Sequence, residues 1–482
     1  MGQRNVKPPE CKKWSAPGQD YWQKLNESLT INPPDSVDEL ERNIASLSDR
    51  SPHRMNGLKA ALEDHFDAQT DDTVFNKIFP FVIKLALRLP SLLKTNEGEH
   101  SVNAGAINLL LQDSPGYLKL SRTLVSSLMA NLFLGTLPRS RERPFQCNMQ
   151  PLLSCSRSST QEVAKIRCYL NYFERLKELQ HDPQGFLYIR RQLLPQPYDW
   201  STSEALLCGV EVIPDGGIED ARGSLQADFA NCHLGGGVIL GGCVQEEIRF
   251  SINPELTCAM MFCEDMSELE AIVLTGAERF SNYKGYAFSL SYGGNHIDET
   301  PHDEEGTVCT AITAIDATPY FDMPGGQTSL GLQLKLENLQ RDANKALAGF
   351  MDLDPEESEC SKSKYPSVAT GNWGCGAFGG NIHVKFLVQW CAVSVSGRSM
   401  KYYTFEKGTE KIGVMMRALA QGLTEKEVTV GMLWQVMLNL SKVARGSRDR
   451  CNIIPAVAKY FDITIEYNED IPVIQYDTDT AV

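Results

Sequence analysis

Several common chemistries lack their residues here. The 14 cysteines include no C-x-x-C pair, so the chain carries neither the usual zinc-binding spacing nor a thioredoxin-type redox motif. The 8 histidines form no recognisable Ser-His-Asp or Cys-His arrangement, which leaves nucleophilic acyl transfer without candidates. Basic charge is short as well. The formal net charge is −15, whereas unspecific nucleic-acid binding needs a basic face. A polyanionic ligand would have to be held locally, by backbone amides and helix N-termini. No apolar run suits a membrane span, because the richest, Ile78 to Leu93, contains Lys84, Arg88 and two prolines. No apolar leader precedes the scattered thiols, which points to a reducing intracellular compartment, nucleus or cytoplasm. Arg139, Arg141 and Arg143 are too sparse for a nuclear address.

What is present is ordinary for a core-forming chain, with 42% hydrophobic and 22% charged residues. Residues 1–35, with Pro8, Pro9, Pro17, Pro33 and Pro34, read as an extended arm. Residues 36–155 read as a helical accessory domain. Within it Leu120, Leu124, Leu128 and Leu132 recur every fourth residue as one packed stripe. Pro80 is expected in a first turn or at a break. Pro144 to Thr160 is polar and Ser-rich, a linker, and Gln161 to Leu179 is again helical.

Residues 156–482 form the remaining domain. After Pro183 short apolar runs alternate with helical stretches. Strands are expected at Gly185–Arg190, Ser224–Phe229, Ala271–Thr275, Thr310–Ile315, Ser367–Thr370 and Tyr402–Phe405, and helices at Pro254–Phe262, Gln340–Phe350, His383–Val395 and Thr429–Ala444. The alternation indicates a three-layer α/β sheet. Ligands of such folds sit beyond the carboxyl ends of the strands.

Three groups of residues there carry chemistry. Gly235, Gly236 and Gly237 suit a loop that a ligand approaches closely. Soon after come Gln245, Glu246 and Glu247 among the apolar Val244, Ile248 and Phe250. A carboxyl in apolar surroundings suits a general acid; the alternative is a solvated acidic face. Gly374-Cys375-Gly376-Ala377-Phe378-Gly379 fits G-x-G-x-x-G after a strand and suggests a diphosphate on backbone N–H groups. No acidic residue follows at the ribose-binding offset of a Rossmann dehydrogenase; the alternative is tight loop packing. Cys375 reads as a small residue rather than a nucleophile. Asp228 and Asn231, at a strand end, suit sugar hydroxyls or else cap a turn. Tyr283, Tyr286 and Phe288 around Gly285 suit purine stacking or else a core or hinge. His296, Asp298, His302 and Asp303 read as an acidic surface loop, not a metal site.

The Gly235–Glu247 segment, preceded by Gln226-Ala227-Asp228-Phe229-Ala230-Asn231, resembles one signature of the poly(ADP-ribose) glycohydrolase family. Ala369 to Gly380 resembles the other, and the likeness runs from about Asp72 to about Gly446. The resemblance implies a macrodomain core, a three-layer sheet flanked by helices, with an N-terminal α-helical accessory region. It implies cleavage of ribose–ribose bonds to release ADP-ribose, without metal or cofactor. Glu247 would serve as general acid and then base, with Glu246 and Asp228 beside it in catalysis. Asn231, Gly235, Gly236, Gly237 and Gln245 would bind substrate, Ile218, Glu219 and Tyr286 the adenine, Gly374, Gly376, Ala377 and Phe378 the diphosphate, and Phe405 a ribose. The expected partners are the polymer and ADP-ribosylated proteins, with no sequence-specific nucleic acid, no membrane and a monomeric state. One alternative is a macrodomain module that binds ADP-ribose without cleaving it. Another is a nicotinamide-dependent oxidoreductase, supported by the G-x-G-x-x-G match alone.

Overall fold

Helix α1, Asp71–Leu87, runs straight through Pro80. The expectation that Pro80 must start or break a helix is overturned. Its ring lies on the exposed side, while Phe75, Ile78, Phe79, Val82 and Ile83 are buried. A mid-helix proline costs about 3 kcal/mol. Each buried large apolar side chain returns about 1.5–3 kcal/mol, so the buried stripe outweighs the proline. The computed structural model to which this helix belongs describes residues 13–15, 18–31, 33–46, 54–65, 71–95, 102–103, 106–137, 148–179, 181–320, 330–352, 363–405, 411–444 and 452–465. These divide into two compact units, one of Met1–Arg190, Leu234–Asp265 and Gly276–Val308, the other of Arg191–His233, Met266–Thr275 and Cys309–Val482.

The first unit is mainly helical. Residues 1–12 of the expected arm lie outside the described residues, and Gln19–Asn26 is a helix that buries Trp22 and Leu25. Helix α2, Arg122–Leu134, starts where the Ser121 hydroxyl accepts the Leu124 N–H at 3.3 Å, and it stops at Gly135 with φ 70°. This cap corrects the leucine stripe. Leu124, Leu128 and Leu132 line α2, but Leu120 belongs to the strand Gly116–Ser121. Short strands at Val102–Asn103 and Ala106–Asn108 further interrupt the expected helical run. The Pro144–Thr160 linker is also corrected in part. Residues 144–147 lie outside the described residues, but Gln150–Leu153 is helical and buries Leu152 and Leu153. Helix α3, Thr160–Glu178, buries Val163, Ile166, Tyr169, Tyr172 and Phe173, and with them Lys165. Helix α4, Gln245–Ile252, is followed by a 3₁₀ helix over Pro254–Met261, within the helix expected at Pro254–Phe262. Buried Arg122 ties this unit internally, through Glu255 at 2.9 Å and Glu278 at 2.7 Å.

The second unit is built on a sheet. Its strands are β1 Val210–Ile213, β2 Ser224–Asp228, β3 Glu270–Gly276, β4 Val308–Ala314, β5 Ser367–Gly371 and β6 Ser399–Tyr403. They stand in the order β3-β4-β2-β5-β6-β1. β2 pairs in parallel with β4 and β5, and β6 in parallel with β5 and β1. Every residue of β2, β3 and β5 is buried, the pattern of parallel strands covered on both faces. Helices α5 Leu336–Phe350, α6 Ile382–Ser396, α7 Lys411–Glu425 and α8 Val430–Val443 contribute to the same core. The Asn381 carboxamide caps α6, accepting from the His383 and Val384 N–H groups. One strand end differs from expectation. β6 stops at Tyr403, and Phe405 follows with φ 54°, a left-handed conformation in which a strand cannot continue.

Candidate active site

In the first unit the two glutamates enter the first turn of α4. That is the favourable end of a helix for negative charge. Both are buried, with Glu246 2% and Glu247 7% exposed, so they are not a solvated face. Glu246 Oε1 accepts the Gly235 N–H at 2.6 Å. Glu247 Oε1 accepts the Gly237 N–H and its Oε2 the Val244 N–H, each at 2.9 Å. The second of these closes the helix start onto its own cap residue.

The glycine run has a reason the sequence did not disclose. Gly235 and Gly236 have φ of 85° and 49°. A Cβ at Gly236 would stand 2.6 Å from Glu246 Oε2 and 2.7 Å from Glu247 Oε1, and one at Gly242 would stand 2.6 Å from Glu247 Oε1. The carboxylates occupy the space where side chains would be.

Lys165 was not foreseen. It is fully buried on α3, and its ammonium donates to the carbonyls of Val238 at 2.9 Å, Leu240 at 2.6 Å, Gly242 at 2.6 Å and Gly237 at 3.4 Å. Burial pushes its pKa down from 10.5 to about 8, against the opposing pull of Glu247 and Glu162. The available signal was a lysine on the apolar face of a helix, with Cys168, Tyr169 and Tyr172 three, four and seven positions on.

Tyr286 sits in the turn of a hairpin, Ser281–Lys284 and Ser291–Asn295. The Ala287 N–H donates to the Cys243 carbonyl at 3.1 Å, which fastens this turn to the segment between the glycine run and α4. Burial pushes the Tyr286 hydroxyl up, and a hydrogen bond with the Gln245 backbone works against it. Its ring is nevertheless 54% exposed. The first unit thus brings together Gly235, Gly236, Gly237, Gln245, Glu246, Glu247 and Tyr286. The aromatic trio does not stay together, since Phe288 is 82% exposed while Tyr283 packs toward Leu290.

In the second unit Asp228 is buried at the carboxyl end of β2. Asn231 Oδ1 accepts the His233 N–H at 3.0 Å, so its side chain also closes a turn. Ile218 is buried with Ala221, Ala369 and Tyr403, and Glu219 follows it in a 3₁₀ turn. The 374–379 loop leaves the N–H groups of Gly376, Ala377 and Phe378 without an acceptor among the described residues. Such a row of amides is suited to an anion. Gly374 and Gly379 both have φ of 71°. A Cβ at Gly374 would lie 2.5 Å from the Ala317 Cβ, whereas Gly376 faces open space. The loop conformation therefore depends on Gly374 rather than Gly376. Beneath it lies a second unforeseen lysine. Lys385 is buried, paired with Asp342 and 4.4 Å from the Trp373 ring centroid. Burial raises the Asp342 carboxyl, but Lys385 and Arg341 outweigh it and hold the carboxyl below its usual range. Phe405 is exposed and half-turned against Tyr403, in its strained backbone position.

Among the described residues no group of three or more His, Cys, Asp or Glu is arranged to hold a metal ion. In the 296–303 loop, Asp298 accepts the Arg279 and Thr300 N–H groups, and Asp303 those of Glu305 and Thr307. No helix among the described residues is long and apolar enough to cross a membrane.

Comparison with known proteins agrees with this architecture. Residues 66–191 match the helical domain of poly(ADP-ribose) glycohydrolase, and residues 197–411 match its Macro domain fold. The chain is 32% identical over 449 residues to probable poly(ADP-ribose) glycohydrolase 2 of Arabidopsis thaliana, covering 82% of this chain and 84% of that protein. It is 33% identical over 476 residues to poly(ADP-ribose) glycohydrolase 1 of the same plant, covering 83% and 84%. A Caenorhabditis elegans poly(ADP-ribose) glycohydrolase 1 is 33% identical over 288 residues, 58% of this chain and 35% of that protein. With a macrodomain sheet, a helical region and relatives of this extent, the chain belongs to the poly(ADP-ribose) glycohydrolase family.

Proposed function

We propose that this protein hydrolyses the ribose–ribose O-glycosidic bonds of poly(ADP-ribose) and releases ADP-ribose, with Glu247 as the group that moves the proton. The observation that carries the assignment to Glu247 is its buried carboxyl, aimed by two backbone N–H groups. Each oxygen keeps a second lone pair beyond the one facing its amide. Protonated there, Glu247 donates to the departing ribose oxygen as positive charge develops at the anomeric carbon. Ionised, it then takes a proton from the attacking water. Most glycosidases divide such work between two separated carboxyls; here one glutamate performs both transfers. Glu246, Asp228 and Asn231 orient the ribose. The amides of Gly376, Ala377 and Phe378 hold the diphosphate, Tyr286 stacks on adenine, Ile218 and Glu219 bind its edge, and Phe405 covers a ribose. The same reading extends to ADP-ribosylated proteins as carriers of the polymer, to a monomer, and to residence in the nucleus or cytoplasm.

The test is to incubate the protein with poly(ADP-ribose), with and without a chelator, and to look for free ADP-ribose. Release in both conditions is expected. Binding of ADP-ribose with no release would make the protein a recognition module instead.

Tyr286→Ala is expected to weaken ADP-ribose binding by about 1–3 kcal/mol, the worth of one base stacked on an aromatic ring. The exposed ring contributes little to the core, so the melting temperature should hold. Calorimetric titration beside a thermal melt decides it. Unchanged affinity with a lowered melting temperature would reduce Tyr286 to a packing residue.

A further inference from the structure

Lys165 and Glu247 hold the same glycine loop through different backbone groups. Gly237 joins the two, since its N–H donates to Glu247 Oε1 at 2.9 Å and its carbonyl faces the Lys165 ammonium at 3.4 Å. Gly242 is held the same way. Its carbonyl accepts from Lys165 at 2.6 Å, and the space at its Cα is closed by Glu247 Oε1. A run of peptide units is therefore clamped between a buried cation and a buried carboxyl. Removing an ammonium from water costs several kcal/mol, and apolar packing alone would favour leucine or methionine at this position. Four converging carbonyls for three N–H groups fit a cation retained to orient those carbonyls.

We propose that the protonated Lys165 is a positioning residue for Glu247, holding the 237–242 peptide planes in the register that aims the catalytic carboxyl, and that loss of its proton releases the loop and lowers turnover. The proposal rests on the assignment of proton transfer to Glu247.

The titration falls within reach of ordinary assay conditions. Burial brings Lys165 to about 8, with Glu247 on α4, Glu162 on its own helix, Cys243 in the loop and Cys155 beyond the Gln150–Leu153 turn all pulling it back up. Burial pushes Cys155 up to about 11 and lifts Cys243 above the usual thiol range, so both thiols lose their protons above the value of about 8 set for Lys165. A neutral amine keeps two N–H groups and turns a lone pair toward a carbonyl. Between about 8 and 10.5 the unfolded chain retains a proton that the folded chain has lost. The contribution of this group to stability therefore rises with pH across that window. Deprotonation of Lys165 thus does not itself favour melting, which separates its effect from general alkaline unfolding.

The experiment measures turnover on poly(ADP-ribose) across neutral and alkaline pH, together with amide hydrogen exchange over residues 235–244. In the unsubstituted protein turnover is expected to fall along a limb centred near 8, with faster loop exchange than the pH change alone produces. Glu162→Gln removes a charge that favours the ammonium, so it should move both limbs to lower pH and leave turnover below them unchanged. Lys165→Met should lower kcat about 10²-fold, the cost of a small misplacement of a catalytic group, abolish the limb, and change the KM by no more than a few-fold. A limb unmoved in Glu162→Gln overturns the proposal, even if Lys165→Met fails to fold. Wild-type turnover and wild-type loop exchange in a folded Lys165→Met also overturn it. Loop exchange that follows Lys165 while turnover does not would instead overturn the catalytic assignment of Glu247 and leave the clamp standing.

Discussion

Glu247→Gln is expected to lower turnover on poly(ADP-ribose) by about 10²–10⁴-fold, the usual contribution of a general acid–base group, while ADP-ribose still binds. The substitution is less innocent than its shape suggests. Both carboxylate oxygens of Glu247 accept a backbone N–H, from Gly237 and from Val244. A carboxamide offers one acceptor oxygen, and its NH₂ must face the other donor. A buried donor left unsatisfied costs about 1–3 kcal/mol, enough to disturb the glycine loop as well as remove the proton. Kinetics should therefore be read beside amide exchange over 235–244. Loss of turnover with a quiet loop isolates the missing proton, and loss with a mobile loop includes misplacement. Near-normal turnover in the purified variant would remove Glu247 from the catalytic role altogether.

Gly236→Ala is expected to be almost as damaging, by about 10²-fold or more in kcat/KM, since a catalytic group displaced by an ångström loses that much. One methyl group would stand within 2.7 Å of both glutamates. The backbone there, at φ 49°, also disfavours any residue with a Cβ by about 1–2 kcal/mol. Gly241→Ala supplies the control from the same loop, because a Cβ there meets nothing within 4 Å. It should retain activity within a few-fold. Steady-state kinetics and thermal melts of the pair decide the matter. Equal activity in the two variants would show that the carboxylates do not depend on the bare backbone at Gly236.

Much of the second unit could be read from local pattern. Ser224–Asp228 alternates Leu225 and Ala227 with polar residues and Ser367–Gly371 centres on Val368 and Ala369, patterns of short strands, although all residues of both are buried. What escaped was long-range or conditional. Leu120 kept the spacing of the α2 leucines, but a capping serine lies between them. Pro80 broke a local rule that the buried face of α1 overrode. The glycines could be recognised as a loop, yet their reason, room for two carboxylates, depends on a helix start ten residues later. Lys165 was the hardest to read. Its acceptors lie 72 to 77 residues further along the chain, and no local pattern announces carbonyls that converge only once the loop is folded. Phe405 was placed at a strand end, but its left-handed backbone is a property of the folded site.

The close approach of Gly236 to both carboxylates also ties the fates of these positions in descent. While the glutamates remain, the space they fill leaves no room for a side chain at Gly236. In a duplicated copy that keeps only ADP-ribose recognition, truncation of Glu246 and Glu247 opens the space they fill, and the constraint at Gly236 relaxes with them. Decay of this glycine would then record the loss of hydrolysis, while Gly374, where an added Cβ would meet Ala317, would persist as long as the 374–379 loop keeps its conformation.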